Sequence, residues 1–378
     1  MRVGIDGGSW SNRRGFGRFL REIAAGLGRV DPDNRYVLFL DSGVEADPVV
    51  PANFEVRRVE THQAVSQAAR VDGRRGGADL WRMRRAAAAE SLDVFLFPTV
   101  YSYYPLWSGA RVVVGVHDTI AEDHPKLAFA SRLNEFYWRA KVWAAMLEAD
   151  VCMTVSEYSK RSIRRVYGPI ADPVRVISEA AAEIFRAQHV DDDKEPFVLY
   201  SGGISPTKNL GALLRGFAAS RARSDGAVLR LVGDYGSDNF RTCYEELRAL
   251  AAELGLGEEL RFEGFVPDAE LAALYRQARA FVMPSWDEGF GLPPLEAMAS
   301  GAAVVYAAGS SLDEIVGEAG LAFTPSRPAE LAAMLDAVYF DDALRRTLCR
   351  RGWERAREFS WERAARALLG VLEEAARR

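Results

Sequence analysis

Short apolar runs alternate with amphipathic stretches along the first half of the chain. The runs are rich in Val, Leu and Phe and lie at residues 3–5, 36–40, 54–56, 94–97, 112–116 and 151–155. Between them, residues such as Phe19, Ile23 and Leu27 recur on one helical face. Buried strands that alternate with amphipathic helices are typical of a parallel sheet covered on both faces. The first half is therefore predicted to be one Rossmann-like α/β domain.

The second half repeats this alternation after a polar break. Apolar runs at residues 197–200, 229–233, 260–264, 280–283 and 302–306 are separated by amphipathic stretches, which predicts a second Rossmann-like sheet. Residues 178–196 separate the two halves, and their composition suits an interdomain linker. The acidic run Asp191–Asp193 lies within this linker. A charge run beside a proline is typical of a solvated surface, so no metal site is expected there.

Residues 284–301 combine a Gly-rich turn and a helix between two apolar runs. Pro293 and Pro294 suit a first helical turn, and Gly301 ends the helix. Glu288 is thus predicted to lie in the loop and Glu296 in the first turn of the helix. Both carboxylates then stand at the carboxyl end of a parallel strand, where open α/β sheets bind ligands.

The residue types of this stretch fit a nucleotide sugar. Gly289 and Gly291 let the backbone approach a ligand, and N–H groups at a helix start favour an anion or sugar hydroxyls. The two carboxylates would accept hydrogen bonds from hydroxyl pairs on the hexose and the ribose. The alternative, from spacing alone, is a strand–turn–helix unit whose glutamates are solvated or cap the helix.

The segment E-G-F-G-L-P-x-x-E-A-M-A-x-G begins at Glu288 and has seven residues between its two glutamates. It resembles the E-x7-E signature of retaining glycosyltransferases of family 4, the mannosyltransferase-like group 1 enzymes with the GT-B fold. The resemblance implies an α/β protein with two Rossmann-like domains whose parallel sheets face each other across a cleft. It also implies an acceptor-side domain over residues 1–180, a donor domain over 181–357 and a helix over 358–378 that crosses back to the first domain.

The activity implied by the resemblance is transfer of a hexosyl unit from a nucleotide-diphosphate sugar to a hydroxyl acceptor. The anomeric configuration would be retained, and no metal or other cofactor is expected. Glu288 would orient the sugar, Glu296 the ribose, and His117 the sugar or its transition state. The catalytic candidates are His117, Lys208 and Glu288. The candidates for donor and nucleotide binding are Gly15, Gly17, Gly202, Gly203, Lys208, Val266, Gly289, Phe290, Gly291, Leu292 and Glu296.

A second Gly-rich turn, residues 201–209, follows the run at 197–200 and places Lys208 at a predicted helix start. A strand, a glycine loop and a helix with such a lysine form a diphosphate cradle. The family pattern has a pair of cations in this region, but Gly203 and Thr207 occupy the positions of the second one. We therefore expect the second cation to come from elsewhere, with Arg18 as a candidate; the alternative is that the donor binds more weakly than is usual in the family.

Two turns in the first half carry further candidates. Gly15-x-Gly17 has Leu20 where a dinucleotide fingerprint needs its third glycine, which argues against NAD. The turn Gly15–Arg18 matches the G-x-G-R form of the family. The alternative is a strand–helix turn with no binding role. His117 ends an apolar run, and the segment H-D-T-I-A-E-D-H-P resembles the family's H-D-x-I-x-x-x-x-P. A lone histidine at a strand end is otherwise structural.

Two features of the first half are candidates for acceptor contact. The segment Arg57–Arg85 holds eight arginines against three acidic residues, and clustered arginines suit a phosphorylated acceptor or an anionic membrane surface. A solvated loop followed by a helix is the alternative. Tyr101 and Tyr103 follow the run at 94–97, where exposed rings commonly stack on sugars. Ordinary loop packing is the alternative for these tyrosines.

Composition limits the cellular compartments and the binding partners that we expect for this protein. The 378-residue chain has a net charge of −5 and three cysteines without C-x-x-C spacing, so neither nucleic acid nor a structural zinc site is expected. No apolar run reaches the ~20 residues of a membrane span, and the first residues enter a strand pattern without a signal peptide. We expect a cytoplasmic protein, with peripheral contact at the inner face of the membrane, that uses an NDP-sugar donor and a glycan, lipid-linked or small-molecule acceptor.

Two rival classes stay open on this evidence. Sugar-nucleotide epimerases and phosphorylases share the GT-B fold, although a phosphorylase usually needs a pyridoxal-phosphate lysine. A non-catalytic two-domain binder of sugars or nucleotides is the second rival. Such a binder gives no reason for the pair Glu288 and Glu296 to accompany Lys208.

Overall fold

The chain forms two compact units. The computed structural model describes residues 1–12, 15–41, 44, 49–62, 76–190, 193–234 and 242–378. One unit comprises Met1–Glu179 together with Trp361–Arg378, and the other comprises Ala180–Ser360. The sequence placed its boundaries at residues 180 and 357.

The first unit is built on a parallel sheet, which has seven strands within the described residues. In chain order they are β1 (Arg2–Asp6), β2 (Arg35–Asp41), β3 (Phe54–Val59), β4 (Val94–Phe97), β5 (Arg111–Gly115), β6 (Val151–Thr154) and β7 (Val174–Val176). Their spatial order is β3-β2-β1-β4-β5-β6-β7, so the winding of the sheet reverses between β1 and β4. Such a switch point is where an open α/β sheet forms a ligand crevice.

The helices of the first unit cover this sheet. They are α1 (Gly15–Val30), α2 (Gly77–Ala88), α3 (Ile120–Asp123), α4 (Pro125–Ala128), α5 (Arg132–Glu148) and α6 (Glu157–Tyr167), with 3₁₀ turns at Val100–Ser102 and Gly168–Ala171. Serines begin two of them. The hydroxyls of Ser131 and Ser156 accept hydrogen bonds from the N–H groups three residues further on, at 3.2 and 3.0 Å. Such caps satisfy backbone donors that a helix start leaves open.

The second unit has a parallel sheet of six strands in the described part of the chain. They are β8 (Glu195–Ser201), β9 (Val228–Val232), β10 (Leu260–Gly264), β11 (Ala278–Met283), β12 (Val304–Ala307) and β13 (Gly320–Phe323). The spatial order is β10-β9-β8-β11-β12-β13, so the switch point lies between β8 and β11. The loops that carry Lys208 and Glu288 follow these two neighbouring strands.

The helices of the second unit lie between and beyond these strands. They are α7 (Leu210–Ala219), α8 (Arg221–Ser224), α9 (Tyr244–Glu253), α10 (Asp268–Gln277), α11 (Leu292–Ala299), α12 (Ser311–Ile315), α13 (Pro328–Phe340) and α14 (Asp342–Ala356). Short 3₁₀ turns occur at Glu183–Phe185, Pro206–Lys208 and Gly317–Ala319. None of the helices in the described part of the chain is long and apolar enough to span a membrane.

The last helix, α15 (Trp361–Ala376), belongs to the first unit and packs on α1. Gly26 is needed at the contact, because a Cβ there would lie 2.9 Å from Cβ of Ala365 and 3.0 Å from the carbonyl oxygen of Trp361. The Trp361 ring meets Phe19 at 6.0 Å between ring centroids. Arg175 then pairs with Glu374 at 2.9 Å and ties α15 to the end of the sheet.

Candidate active site

Two loops of the second unit meet at its switch point. The first follows β8 and runs through residues 202–209, and the second follows β11 and runs through residues 284–291. Because β8 and β11 are parallel neighbours, with Leu199 paired to Phe281, their carboxyl ends lie side by side. Lys208 is the only residue with a cationic side chain in these two loops.

The β8 loop begins with a glycine that the backbone geometry requires. Gly202 has a φ of 154°, and a Cβ at this position would lie 2.6 Å from the hydroxyl of Tyr200. The same hydroxyl donates to the carbonyl of Gly203 at 2.8 Å, which fixes the turn. A Cβ on Gly233, at the end of β9, would lie 1.9 Å from the carbonyl oxygen of Gly202. The main chain at this corner is therefore tightly packed and carries no side chain toward a ligand.

Lys208 reaches across to the second loop. It ends a 3₁₀ turn, and Asn209 separates it from α7, so it lies just before the helix rather than in its first turn. Nζ of Lys208 lies 2.6 Å from Oε1 of Glu288, with both side chains largely buried. The backbone N–H of Trp286 donates to the carbonyl of Thr207 at 3.1 Å. An ion pair and a main-chain bond thus join the two loops.

Asn209 strengthens this junction from the other side. It adopts the left-handed conformation, with φ of 51°, which asparagine tolerates better than most residues. Its Nδ2 donates to the carbonyl of Pro284 at 3.1 Å and to that of Pro325 at 3.0 Å. Nothing in the local sequence pattern indicates this role, because both acceptors lie far along the chain.

Glu288 is a buried carboxylate with two donors on one oxygen. Its Oε1 accepts from the Ser285 hydroxyl at 2.6 Å and from Lys208 at 2.6 Å. Ser285 is 1% exposed and Glu288 is 8% exposed. A buried charge is costly unless it is paired and hydrogen-bonded, and these two donors meet that requirement. Ser285 was not among the residues predicted from sequence.

Glu296 is buried beside a tyrosine hydroxyl. The structure begins α11 at Leu292 with Gly291 as its N-cap, so Glu296 lies beyond the first turn, and the prediction of a first-turn position was wrong. The hydroxyl of Tyr275 lies 3.5 Å from Oε2 of Glu296 and donates to Oγ of Ser201 at 3.0 Å. Tyr275 comes from α10 and is fully buried. Its ring packs on Phe281 at 5.4 Å between ring centroids.

The turn between the two glutamates depends on packing of its own. Gly291 has a φ of 105°, and a Cβ there would meet Leu312 at 2.6 Å. The Phe290 ring is buried against Phe359 at 5.9 Å between ring centroids, and its carbonyl accepts from the Ser311 hydroxyl at 2.9 Å. Phe290 and Leu292 are therefore core residues, and any ligand contact they make falls to their main chain. Val266 is also buried, in the loop after the edge strand β10.

His117 follows β5 in the first unit and is enclosed by protein. Its Nε2 lies 2.9 Å from the carbonyl oxygen of Pro98, so Nε2 carries a proton that it donates. Its Nδ1 lies 3.5 Å from Oε1 of Glu179. The rings of Phe16 and Phe19 meet the imidazole edge-on at 5.1 and 4.9 Å. With both nitrogens directed at protein oxygens, a substrate contact by His117 would use its main chain.

The Gly-rich turn after β1 is closely packed. A Cβ on Gly17 would lie 1.9 Å from the carbonyl oxygen of Asn12 and 2.7 Å from that of Ser9, so only glycine fits. Gly15 begins α1, and Arg18 lies half-buried in its first turn. These residues follow β1, which is one of the two strands at the switch point of this sheet.

The two tyrosines predicted to meet an acceptor differ in exposure. Tyr103 is 6% exposed, and its hydroxyl donates to Oε2 of Glu148 at 2.6 Å. It is a core residue, and the prediction that its ring stacks on an acceptor is corrected by this burial. Tyr101 is half-buried between Phe16 and Trp138, at ring-centroid distances of 5.0 and 4.7 Å. Burial raises the pKa of Tyr101 well above its ordinary value.

The basic segment Arg57–Arg85 is described only in part, since residues 63–75 lie outside the described residues. Arg57 pairs with Glu90 at 2.7 Å and with Glu55 at 3.2 Å. Asp191 and Asp192 of the acidic run also lie outside the described residues. In the part of the chain that the structure describes, no three His, Cys, Asp or Glu side chains are grouped so that they could hold a metal ion.

Two parallel sheets of the Rossmann type, with an acidic pair and a lysine at the switch point of the second, fit the class of GT-B glycosyltransferases. Comparison with known proteins agrees. The model of group 1 glycosyl transferases matches residues 181–355, and that of Glycosyltransferase Family 4 matches residues 13–180. The chain belongs to the group 1 glycosyltransferases of family 4.

Individual relatives lie in the same family. O-antigen chain mannosyltransferase B of Escherichia coli is 32% identical over 267 residues, which cover 67% of this chain and 67% of that protein. The chain spans 29% of the length of the serotype-specific mannosyltransferase WbdA of Escherichia coli.

Solved structures share the whole fold. Sucrose-phosphate synthase of Thermosynechococcus elongatus has a TM-score of 0.76 at 20% identity, covering 99% of this chain and 98% of that one. Alr3699/HepE of Anabaena, solved in complex with UDP and glucose, has a TM-score of 0.74 at 19% identity, covering 99% and 100%.

Proposed function

We propose that this chain transfers a hexosyl unit from a nucleotide-diphosphate sugar to a hydroxyl acceptor, with retained anomeric configuration. The observation that carries the proposal is the Lys208–Glu288 pair, which joins the loops of β8 and β11 at the switch point. Glu296 lies one helix turn beyond the same loop. The complex of Alr3699/HepE with UDP and glucose supports a donor of this class. Membership of the transferase family favours transfer over epimerisation, phosphorolysis or simple binding.

Lys208 is assigned to the diphosphate. In the reaction the bond from the anomeric carbon to the diphosphate oxygen breaks, and its electron pair leaves with the nucleoside diphosphate. The acceptor oxygen forms the new bond on the same face of the sugar, and its proton passes to the departing phosphate. A preorganised cation at the developing charge lowers the barrier. Backbone N–H groups of residues 289–292, at the start of α11, are assigned a share of this stabilisation.

The two glutamates are assigned to hydroxyls. Oε1 of Glu288 is already occupied by Ser285 and Lys208, which leaves Oε2 to accept from the hexose. Glu296, whose Oε2 lies 3.5 Å from the Tyr275 hydroxyl, would accept from the ribose. Gly202 and Gly203 let the diphosphate approach the main chain, and Val266 would lie at the nucleobase. His117 is assigned to the sugar or its transition state, through its main chain. Gly15 and Gly17 are assigned to donor binding, and Arg18 to the acceptor or to the donor phosphates.

The acceptor is proposed to be a glycan or a lipid-linked sugar. The relative from Escherichia coli is named for an O-antigen chain, which supports a carbohydrate acceptor. A lipid-linked acceptor would place the enzyme at the inner face of the cytoplasmic membrane, where clustered arginines are attracted to anionic lipids.

A thermal-shift screen with UDP, GDP, ADP and their sugars tests the donor assignment, because a ligand that binds only the folded state raises its Tm according to affinity. One nucleotide and its sugars should raise Tm well above the others. The product formed from that donor and a saccharide acceptor should then carry the anomeric configuration of the donor by NMR. A flat screen, or an inverted product, would contradict the proposal.

A further inference from the structure

Helix α5 has two apolar faces. On the inner face, Trp138, Val142, Ala145 and Met146 belong to the buried core of the first unit. On the opposite face, five large apolar side chains are exposed to solvent. They are Leu133, Phe136, Tyr137, Trp143 and Leu147, with exposures of 55, 65, 47, 45 and 71%. Their spacing of three, four and seven residues puts them on one side of the helix along its length.

A helix on the surface of a protein ordinarily turns polar side chains outward. A contiguous exposed apolar patch instead marks a surface that meets another molecule. The exposed stripe of α5 is therefore a candidate interaction surface.

The stripe continues past the end of the helix. The backbone N–H of Trp107 donates to Oε1 of Glu148 at 2.8 Å, which places Trp107 beside the last turn of α5. The Trp107 ring is 70% exposed. The guanidinium of Arg84, from α2, lies 4.5 Å from the centre of that ring. On the same helix Arg85 lies over the exposed ring of Trp81 at 5.2 Å.

We call these side chains the outer face; they are Trp81, Arg84, Arg85, Trp107, Leu133, Phe136, Tyr137, Trp143 and Leu147. Three acidic groups near it are engaged with other groups of the protein. Glu148 accepts from the Tyr103 hydroxyl and from two backbone N–H groups at 2.6 to 3.1 Å. Asp79 is buried and accepts from the N–H of His62 at 2.9 Å. Glu135 is neutralised by Arg139 at 2.9 Å. The charge that the outer face presents is therefore basic.

We infer that the outer face docks on an anionic phospholipid bilayer. Tryptophan and tyrosine rings favour the boundary between headgroups and acyl chains, and leucine and phenylalanine gain by inserting below it. Arginines at the same level are attracted to anionic headgroups. A second copy of the chain would bring like charges together, which disfavours a symmetric dimer on this face. The inference rests on the proposed function only in expecting the acceptor to lie at a membrane.

Vesicle flotation tests this surface. The full-length protein would be mixed with vesicles of phosphatidylcholine alone and with vesicles containing phosphatidylglycerol. The apolar variant carries Phe136→Ser, Trp143→Ser and Leu147→Ser, and the charge variant carries Arg84→Ser and Arg85→Ser. The matched control carries Ile184→Ser and Phe340→Ser, two exposed apolar residues of the second unit. Melting temperature and donor hydrolysis are measured for every variant.

Wild type and control should float with the anionic vesicles. The apolar variant should lose binding by more than about 10-fold, and the charge variant by about 10-fold with a weaker dependence on salt. Flotation of both variants like wild type would overturn the inference, as would a wild-type dimer in analytical ultracentrifugation that the apolar variant abolishes. Donor hydrolysis should be equal in all proteins. Its absence from all of them would count against the proposed function and leave the flotation result standing.

Discussion

Nζ of Lys208 and Oγ of Ser285 both lie 2.6 Å from the same oxygen of Glu288. The carboxylate therefore holds the lysine in place before any donor arrives. When a diphosphate binds, its negative charge would share the ammonium group with Glu288. The lysine side chain would then stabilise the leaving group without first reorganising, which is the condition for electrostatic preorganisation.

Replacement of Lys208 by alanine should lower kcat about 10²- to 10³-fold, as loss of one preorganised donor does in other enzymes. Steady-state kinetics with the donor found in the thermal-shift screen would measure the change. Lys160→Ala is a matched control, because Lys160 pairs with Glu157 of its own helix, α6 of the first unit, at 3.2 Å. An unchanged rate for Lys208→Ala would remove this lysine from the mechanism.

Replacement of Ser285 by alanine should separate sugar binding from nucleotide binding. Loss of a hydrogen bond to a charged group costs about 1.5–3 kcal/mol, which corresponds to a roughly 10- to 100-fold fall in kcat/KM. Affinity for the free nucleoside diphosphate should stay within about 2-fold, since Glu288 is assigned to the hexose. Calorimetry with and without the sugar measures both. An equal loss of affinity for both ligands would show that Ser285 supports the loop as a whole.

Tyr275→Phe should reduce the selectivity of the site for ribose over deoxyribose. The substitution removes the Tyr275 hydroxyl, which lies 3.5 Å from Oε2 of Glu296. Discrimination against a 2′-deoxy nucleotide should therefore fall about 10-fold. Glu296→Ala should weaken nucleotide binding further and abolish that discrimination. Affinities for matched ribo- and deoxyribonucleotides measure both effects. If Glu296→Ala bound ribonucleotides as wild type does, the ribose site would lie elsewhere.

The stability of the first unit should depend on Glu122 in α3. Burial raises the pKa of Glu122 above its ordinary value of 4.5, although Tyr167 and Trp138 donate to its carboxylate. A carboxyl with a raised folded pKa contributes stability when protonated and loses it as the pH rises. Glu122→Gln keeps an acceptor and has no such proton, so its Tm relative to wild type should increase from pH 4.5 to 7. A difference that stays constant with pH would contradict this explanation.

Removal of divalent metals should leave turnover intact, because the proposed chemistry assigns the leaving-group charge to Lys208 and to backbone amides. Donor consumption would be followed before and after dialysis against EDTA. Complete loss of activity that Mg²⁺ or Mn²⁺ restores would contradict this expectation.

The sequence predicts the local units of the site well, because their signals are local. Pro293 and Pro294 indicate a helix start, and apolar runs indicate the flanking strands. Glu296 lies one residue beyond the predicted first turn of α11, because Gly291 caps the helix in a left-handed conformation and Leu292 is already helical. Helix starts of this kind depend on one backbone angle that the residue pattern does not reveal.

The partners of the site could not be predicted, because they come from distant parts of the chain. Ser201 and Tyr275 are 74 residues apart, and Lys208 and Glu288 are 80 residues apart. Tyr103 was assigned to an acceptor because it lies in a loop rich in aromatic residues. The hydrogen bond that its hydroxyl makes when buried goes to Glu148, which lies 45 residues away on α5.

Asn209 has a consequence for anyone who exchanges loops between relatives of this enzyme. One amide group holds both the segment that ends at Pro284 and the segment at Pro325 in register with the lysine turn. A chimera that imports only the loop of residues 284–291 would therefore gain the donor-binding residues of that loop without the hydrogen bonds that align them. Chimeras that exchange the lysine turn and the segments at Pro284 and Pro325 together should keep donor selectivity. Chimeras that exchange only one of these segments should lose part of it.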